Sequence, residues 1–286
     1  MCIEKVKDML SLARKEGEGK SVSTKLLFFD VDGTLLDDRT HTLPRSVVPA
    51  LEQVKAKGNR IFVNTGRTLC NMEREVLALP LDGCIMGCGT RVICGKETLR
   101  CVEYDFKDSM RMRDIIARAD IPCVYECDTG IYFDTPYFDL PQIQGFWNFS
   151  SARGINRMIT PEDEAFRAVK TFMFAEAQRI EALMAQLAQA GMPYTAIDRG
   201  NDGWEVVPAS CSKANGMDLI AEHLGVSLED CYAFGDSHND LPMLTHVSHS
   251  VAVGNAPQDV KEACRYVAPR VEEDGIASIL ETLELM

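Results

Sequence analysis

The sequence predicts an α/β fold, with a doubly wound parallel-sheet (Rossmann-like) core and an inserted α+β domain. Two observations lead to this prediction. At both ends of the 286-residue chain, short apolar runs alternate with amphipathic helical patterns, as parallel strands buried on both faces require. In the middle, strand-like runs occur in pairs separated by turn residues. We therefore expect a core at 21–87 and 204–286, an inserted domain at 88–203 and a helical extension at 1–20.

The extension is predicted to begin with a helix, because apolar residues recur there at helical spacing. These residues are Ile3, Val6, Leu10 and Ala13. The stretch EGEGK, Glu16 to Lys20, then breaks the pattern. We expect the helix to pack on the surface of the core, and a helix that binds a partner or forms a dimer is the alternative.

The first half of the core is predicted to be strand, helix, strand. The apolar run KLLFF, which begins at Lys25, is the first strand. A helix follows with Val47, Leu51 and Val54 on one face, and Gly58 stands where a C-terminal cap belongs. The second strand is the run RIFVN, Arg60 to Asn64.

The second half of the core repeats this alternation. Ser212 is a suitable N-cap for a helix that ends at Gly225. Two further strands are predicted at CYAF, Cys231 to Phe234, and at SVAV, Ser250 to Val253. Short apolar strands joined by helices in this way indicate a doubly wound sheet.

The inserted domain is predicted from its hairpin signals. The runs VIC-GKE-TLRCVEY and CVYE-CDTG-IYFD each place turn residues between two strand-like segments. Helical patterns cover Ser109 to Ala119 and Ala177 to Ala190, and the turn GNDG, Gly200 to Gly203, precedes the strand-like run WEVVP. Mixed hairpins and helices of this kind predict an α+β domain.

The composition narrows the range of partners and of compartments. The net charge is −13 and the sequence pI is about 4.9, so the surface repels nucleic acids and anionic membranes, and we expect neither as a partner. Eleven cysteines without an even framework, and no apolar run near ~18 residues, indicate a reduced, cytoplasmic protein. We interpret the CxxxC pairs Cys84/Cys88 and Cys123/Cys127 as packing thiols, because they lack zinc-site spacing. The oligomeric state is left open.

Three apolar strands end in polar clusters, FFDVDGT, VNTGR and AFGDSHND. Ligands bind at the carboxyl ends of strands in open parallel sheets, so Asp30, Thr65 and Asp236 are expected to converge at one edge. Carboxylates gathered there need a cation, and hard oxygen ligands suit Mg²⁺. The side-chain period of two places Asp30 and Asp32 on the same side of the strand, and Gly33 permits a sharp turn. A lone DxD is often a turn, but three such clusters in this order predict a functional site.

These motifs resemble those of the haloacid dehalogenase superfamily over the chain from about Lys25 to its end. The run LLFFDVDGTLL is similar to the first motif, VNTGR to the second, SKANGMDLI to the third and GDSHNDLPML to the fourth. The long insertion between the second and third motifs resembles the type IIB cap of the Cof-like phosphatases. The matching positions are Asp30, Asp32, Thr65, Lys213, Asp236, Asn239 and Asp240.

The resemblance implies a mechanism for a phosphoric monoester hydrolase that acts on small phosphorylated metabolites, mostly sugar phosphates. Asp30 would be the nucleophile, and Asp32 the general acid and base. Mg²⁺ would be held by Asp30, the backbone carbonyl of Asp32 and Asp236, with support from Asp240. The phosphoryl oxygens would be held by Thr65, Gly66, Lys213 and Asn239.

Several alternatives remain from the sequence. A phosphomutase of the same superfamily shares this cap type, and a non-catalytic ligand-binding regulator is the alternative from another class. Arg67 contacts either the substrate or a carboxylate. The relatives commonly have Asn-Gly-Ala where this chain has Cys88-Gly89-Thr90, which leaves the substrate preference in doubt. The residues that select the substrate are not identified by any local pattern, and candidates in the hairpin regions are Tyr125, Glu126, Asp128 and Arg199. Glu205, just before the third motif, either helps to shape the site or has a structural role.

Overall fold

The computed structural model describes residues 3–12 and 24–286 of the chain. Contacts divide them into two compact units. The inserted unit comprises Arg67–Met72 and Cys101–Cys211. The core unit comprises the described part of Cys2–Gly66, together with Glu73–Arg100 and Ser212–Met286.

The core unit is built on a sheet that has eight strands among the described residues. The first six strands in spatial order pair in parallel, and β3 and β4 pair antiparallel. This architecture confirms the predicted fold class of a parallel-sheet α/β core. In spatial order the strands are β14 (Tyr266–Val267), β13 (His249–Ala252), β12 (Cys231–Gly235), β1 (Leu26–Phe29), β2 (Arg60–Asn64), β3 (Gly83–Met86), β4 (Arg91–Cys94) and β5 (Glu97–Cys101).

The central strand β1 explains the continuous apolar run of the sequence. All four of its side chains are buried, and β1 is paired on both sides, to β12 and to β2, as expected of a central strand in a sheet covered on both faces. Phe28 stacks on Phe62 with ring centroids 5.1 Å apart, and Phe29 stacks on Phe234 at 4.3 Å. Each such buried side chain stabilises the fold by about 1.5–3 kcal/mol. The core of this unit therefore holds the end of β1 in a fixed place.

The helices of the core unit agree with the predictions that fall on described residues. Val47, Leu51 and Val54 are buried on one face, and Gly58 follows the helix end with φ +85°. Val6 and Leu10 are buried in the N-terminal helix, whereas Ala13 and the stretch 16–20 lie outside the described residues. The core helices are α1 (Ile3–Leu12), α2 (Val47–Ala56), α3 (Arg74–Leu77), α7 (Lys213–Leu224), α8 (Leu241–Leu244), α9 (Gln258–Ala263) and α10 (Gly275–Thr282).

The inserted unit is an α+β arrangement around a six-stranded sheet among the described residues. Its strands pair antiparallel, except for β7 and β8, which are parallel. In spatial order they are β10 (Tyr194–Asp198), β11 (Gly203–Pro208), β9 (Ala168–Phe174), β6 (Cys123–Cys127), β7 (Ile131–Phe133) and β8 (Asn156–Met158). The helices of this unit are α4 (Phe106–Arg118), α5 (Pro141–Ala152) and α6 (Ala177–Gln189).

The two faces of this second sheet carry different side chains. Helices α4 and α6 pack with Tyr125 and Met173 on one face. Helix α5 packs with Val124 and Phe133 on the other face, as the alternation of side chains along β6 requires. Part of this second face carries charged residues instead of apolar ones, among them Lys170.

Two of the turns predicted for the inserted domain are found there, whereas the first predicted hairpin belongs to the core sheet. The hairpin of β6 and β7 and the turn before β11 are confirmed, and the N–H of Gly203 donates to the carbonyl of Gly200 at 2.9 Å. The first predicted hairpin forms β4 and β5, which extend the core sheet. A hairpin pattern specifies its own pairing but not the sheet that it joins. The predicted limits of the domains, 88 and 203, stay a prediction.

The cysteines of the two CxxxC pairs are all buried, as a packing role requires. Burial raises the pKa of the Cys84 thiol to about 12. Within the part of the chain that the structure describes, every helix is too short or too polar to cross a membrane.

Candidate active site

The candidate site begins where three neighbouring strands end. Asp30 follows β1, and its N–H donates to the carbonyl of Phe234 on β12 at 2.9 Å. Thr65 follows β2, and its N–H donates to the carbonyl of Ile85 on β3 at 2.9 Å. Asp236 follows β12. These strand-end hydrogen bonds hold the polar residues at the carboxyl edge of the core sheet.

Lys213 is held by the start of α7. The Ser212 side chain accepts a hydrogen bond from the N–H of Asn215 at 3.0 Å, which confirms the predicted N-cap. The Asn64 side chain donates to the carbonyl of Lys213 at 3.1 Å. Gly89 approaches this turn so closely that a Cβ there would lie 2.3 Å from the carbonyl oxygen of Ser212. The backbone of Lys213 is thus fixed against β2.

The ammonium of Lys213 lies between two carboxylates. Its Nζ is 2.5 Å from Asp30 Oδ1 and 2.5 Å from Asp240 Oδ1, and the side chain is 1% exposed. Burial opposes the charge, but the carboxylates of Asp240 and Asp30 outweigh it and raise the pKa of Lys213. The two carboxylates therefore favour the charged form of the lysine in this site.

Asp240 is fixed by its own turn. Its Oδ2 accepts hydrogen bonds from the N–H groups of Asp236 and Ser237, both at 3.0 Å. A Cβ on Gly235 would lie 2.7 Å from this carboxyl group, so glycine is required for the close approach. Its Oδ1 is bound to Lys213, so Asp240 joins the turn after β12 to the buried ammonium.

Asp236 lies against the loop that follows Asp30. Its Oδ1 accepts from the Thr34 hydroxyl at 3.2 Å. A Cβ on Gly33, whose φ is +76°, would lie 2.3 Å from Asp236 Oδ2. Glycine at this position therefore permits both the left-handed turn and the approach of the carboxylate.

Asp30, Asp236 and Asp240 are buried and bring one carboxylate oxygen each to within 4.8 Å of one another. The Lys213 ammonium contacts two of these three carboxylates, those of Asp30 and Asp240. Burial first, and then the neighbouring carboxylates, raise the pKa of Asp30 to about 7 and that of Asp236 to about 8. A cation with hard oxygen ligands would relieve this repulsion, so the donor set fits a divalent metal such as Mg²⁺.

The remaining predicted residues have more varied positions. Asp32 lies in the turn after β1, partly exposed, and Gly66 directly follows Thr65. Asn239 is buried, and its Oδ1 accepts from the Ser237 hydroxyl at 2.5 Å. Arg67 belongs to the inserted unit, where its Nη1 donates to the carbonyl of Asn71 at 3.0 Å.

Two polar residues beside this cluster were not predicted from the sequence. Asn255 donates from Nδ2 to the carbonyl of Gly33 at 2.8 Å and to Asp236 Oδ2 at 3.4 Å. Asp38 contributes to the raised pKa of Asp236. The run SVAV-GNAP, an apolar strand followed by a polar residue, has the same pattern that identified the other clusters and would have identified Asn255.

The model of the haloacid dehalogenase-like hydrolase family matches residues 27–280, almost the whole chain. The chain belongs to this family. The resemblance drawn from its motifs is thereby confirmed, and so is the enzyme class expected from them, a phosphatase of this family.

Known proteins similar to this chain include phosphatases. The HMP-PP phosphatase of Yersinia pestis (strain Pestoides F) is 29% identical over 262 residues, which cover 90% of this chain and 94% of the relative. Among solved structures, the subclass IIB sugar phosphatase BT4131 has a TM-score of 0.76 and 26% identity, and the match covers 92% of this chain and 100% of that one. The phosphatase BT1666 from Bacteroides thetaiotaomicron has a TM-score of 0.79 and 24% identity over 95% and 99% of the two chains, which shows a shared fold.

Proposed function

We propose that this phosphatase hydrolyses small phosphorylated metabolites, sugar phosphates foremost, with Mg²⁺ and through an aspartyl-phosphate on Asp30. The observation that carries the proposal is the buried cluster in which the Lys213 ammonium contacts both Asp30 and Asp240, beside Asp236. A carboxylate that attacks a phosphate dianion needs positive charge around it, and this cluster is built to hold such charge.

In the first step a carboxylate oxygen of Asp30 attacks phosphorus, and the bond from phosphorus to the ester oxygen breaks. Asp32 gives its proton to the departing alkoxide. In the second step water attacks the phosphoryl group, its proton passes to Asp32, and the bond to Asp30 breaks. Orthophosphate and the alcohol are the products, and both carboxyl groups return to their starting states.

The residues that would hold Mg²⁺ are Asp30, the backbone carbonyl of Asp32 and Asp236, with Asp240 in support. Bound there, the ion supplies charge neutralisation for the phosphoryl oxygens. The Gly33 N–H donates to the carbonyl of Leu36 at 2.9 Å, which fixes the peptide plane that also carries the Asp32 carbonyl.

The phosphoryl oxygens would be bound by the Thr65 hydroxyl, the Gly66 N–H and the Lys213 ammonium, with Asn239 at the edge of the cluster. Arg67 stays a candidate for contact with the substrate. These groups also explain how a chain with a net charge of −13 binds an anion, because cations within the site reverse the local field.

The substrate class rests on similarity. The Yersinia relative is named for HMP-PP, and BT4131 is described as a sugar phosphatase. Both names denote small phosphorylated compounds. We place the substrate of this chain in the same class, small phosphorylated metabolites.

The test is phosphate release from a panel of phosphorylated metabolites, with Mg²⁺ and with a chelator. Wild type, Asp30→Asn and the control Asp139→Asn run together, since Asp139 is exposed. We expect wild type and D139N to release phosphate only with Mg²⁺, and D30N to release none. Transfer of phosphate between positions of a sugar bisphosphate without net release would contradict the proposal in favour of a phosphomutase.

A further inference from the structure

Asn255 carries an unsatisfied acceptor beside the acidic cluster. Its Oδ1 is buried and has no hydrogen-bond partner among the described residues. Its Nδ2 donates to the Gly33 carbonyl at 2.8 Å and to Asp236 Oδ2 at 3.4 Å. Buried amide oxygens are usually satisfied in folded proteins, so this atom indicates a missing partner.

The orientation of the amide group is fixed by its neighbours. Both contacts of Nδ2, the Gly33 carbonyl and the Asp236 carboxylate, are acceptors. If the amide were turned over, oxygen would face oxygen in both places. The unsatisfied atom is therefore the oxygen, and the partner that it lacks is a hydrogen-bond donor or a cation.

The backbone holds Asn255 close to the strand ends. The N–H of Val253 donates to the carbonyl of Gly235 at 2.9 Å, which joins the loop after β13 to the end of β12. A Cβ on Gly254 would lie 2.7 Å from the backbone nitrogen of Arg270, so this loop is tightly packed against the next one. The position of the Asn255 amide is thus set by the fold rather than by a mobile side chain.

The chemistry of the surroundings indicates which donor is missing. Asp236 accepts hydrogen bonds from Thr34 and Asn255, and it is one of the proposed metal ligands. Mg²⁺ gives up its water molecules reluctantly and usually keeps several of them in protein sites. A water held by an ion beside Asp236 would be a strongly polarised donor, of the kind that the unsatisfied Oδ1 of Asn255 could accept from.

We propose that Asn255 is a positioning residue of the metal site, an inference that rests on the proposed function. Asn255 Oδ1 accepts a hydrogen bond from a water molecule of the Mg²⁺ hydration shell. Its Nδ2 at the same time orients the Gly33 peptide and the Asp236 carboxylate. Asn255 thereby links the ion's water, one of its carboxylate ligands and the loop that follows the nucleophile.

The first test measures metal binding without turnover. Mn²⁺ replaces Mg²⁺ as the probe, and free Mn²⁺ is followed by electron paramagnetic resonance during titration of wild type, Asn255→Ala and the control Gln258→Ala. Gln258 is exposed and contacts Glu262. Partners of metal ligands typically contribute 10- to 100-fold to affinity, so we expect the Kd of N255A to rise by about that factor and that of Q258A to stay unchanged.

The outcomes separate this inference from the proposed function. If wild type binds Mn²⁺ and N255A binds it equally well while both are folded by circular dichroism, the inference is wrong and the proposed function stands. If wild type binds no divalent ion, the proposed function itself fails, and the inference with it.

A second test is needed because the affinity of N255A for the metal could fall only through the lost contact with Gly33. A crystal structure of the Mg²⁺-loaded protein is expected to show Asn255 Oδ1 within hydrogen-bond distance of a water bound to the ion. Direct coordination of the ion by Oδ1, or no water between them, would overturn the proposal.

Discussion

The Lys213 ammonium lies 2.5 Å from Asp30 Oδ1, although 183 positions separate the two residues in the chain. The same ammonium contacts Asp240, so one buried cation joins the end of β1 to the turn after β12. Neither contact follows from local sequence. Each results from the order of the strands, which places β12 beside β1, and from the start of α7 beside β2.

Replacing Lys213 by methionine is expected to lower both activity and stability. The variant leaves Asp30 and Asp240 buried without their cation, which costs about 3–5 kcal/mol in typical buried pairs. Loss of a cation at the phosphoryl group should lower kcat/KM by about 10²- to 10³-fold. Chemical denaturation and phosphate release measure the two effects.

Lys57→Met is the matched control. Lys57 is exposed, and its ammonium donates to the backbone carbonyl of Glu284. We expect it to remain within about 0.5 kcal/mol of wild type, as surface substitutions usually do. A K213M variant as stable and active as K57M would contradict the assigned role.

Replacing Gly33 by alanine is expected to remove metal binding and activity. The new Cβ would lie 2.3 Å from Asp236 Oδ2, so either the loop or the carboxylate must move. Gly58→Ala is the control, because Gly58 has φ +85° and open space around it. Both variants carry the strain of a left-handed alanine, about 1 kcal/mol.

The comparison separates strain from site geometry. Denaturation curves should show a loss in both variants, whereas Mn²⁺ titration should show weakened binding in G33A alone. If G33A binds Mn²⁺ as tightly as G58A, the close approach of Gly33 to Asp236 does not matter for the metal.

The metal-free protein is expected to lose stability as the pH rises from about 4 to about 8. The pKa values of Asp30 and Asp236 are raised to about 7 and about 8, whereas an unfolded Asp titrates near 4. Across this range the folded state holds protons that the unfolded state has released. The free energy of unfolding therefore falls with rising pH, by linkage.

Mg²⁺ should reverse this loss, because it binds to the deprotonated carboxylates. We expect the increase in Tm on adding Mg²⁺ to be larger at about pH 8 than at about pH 5, measured by thermal unfolding with and without chelator. Asp236→Asn should reduce both the pH dependence and the increase. An equal effect of Mg²⁺ at both pH values would contradict this prediction.

The inserted unit contains a buried ionic cluster that should govern its stability. Lys170 Nζ is 3.1 Å from Glu126 Oε1 and also contacts Glu205, and all three residues are about 4% exposed. The Thr68 hydroxyl donates to Glu126 Oε2 at 3.3 Å. Burial is the main cause that raises the pKa of Glu126, and the charge of Lys170 opposes it.

Lys170→Met is expected to destabilise the protein by about 3–5 kcal/mol, because two carboxylates lose their shared cation. The double variant Lys170→Met, Glu126→Gln should recover part of this loss, since position 126 then no longer carries a buried charge. Denaturant unfolding of the single and double variants measures this. No recovery in the double variant would show that the two side chains are not coupled.

The position of the site at the strand ends of the core was predictable, because apolar strands are followed there by polar residues that can bind ligands or take part in catalysis. Asp30, Thr65 and Asp236 could be placed on one edge from strand periodicity and the parallel-sheet rule alone. The N-cap Ser212 was equally predictable, because its short polar side chain precedes an amphipathic helix.

Other features depended on tertiary structure. The hairpin of β4 and β5 joins the core sheet through its pairing with β3, and no pattern within the hairpin specifies that partner. The ion contacts of Lys170 cross three strands of one sheet, so they require the strand order. Asn255 follows an apolar strand as the other clusters do, but a single asparagine there is also a common turn residue, and its contacts establish its relation to Asp236.

The central claim is that Asp30 carries the phosphoryl group. The most direct measurement is to mix the protein with Mg²⁺ and a phosphorylated substrate, quench within a turnover, and reduce with borohydride, which converts an acyl phosphate to an alcohol. Peptide mass spectrometry then locates the reduced residue. Reduction is expected at Asp30 in wild type and is not expected in protein kept with chelator. Reduction at another carboxylate, or turnover without any reduced residue at Asp30, would contradict it.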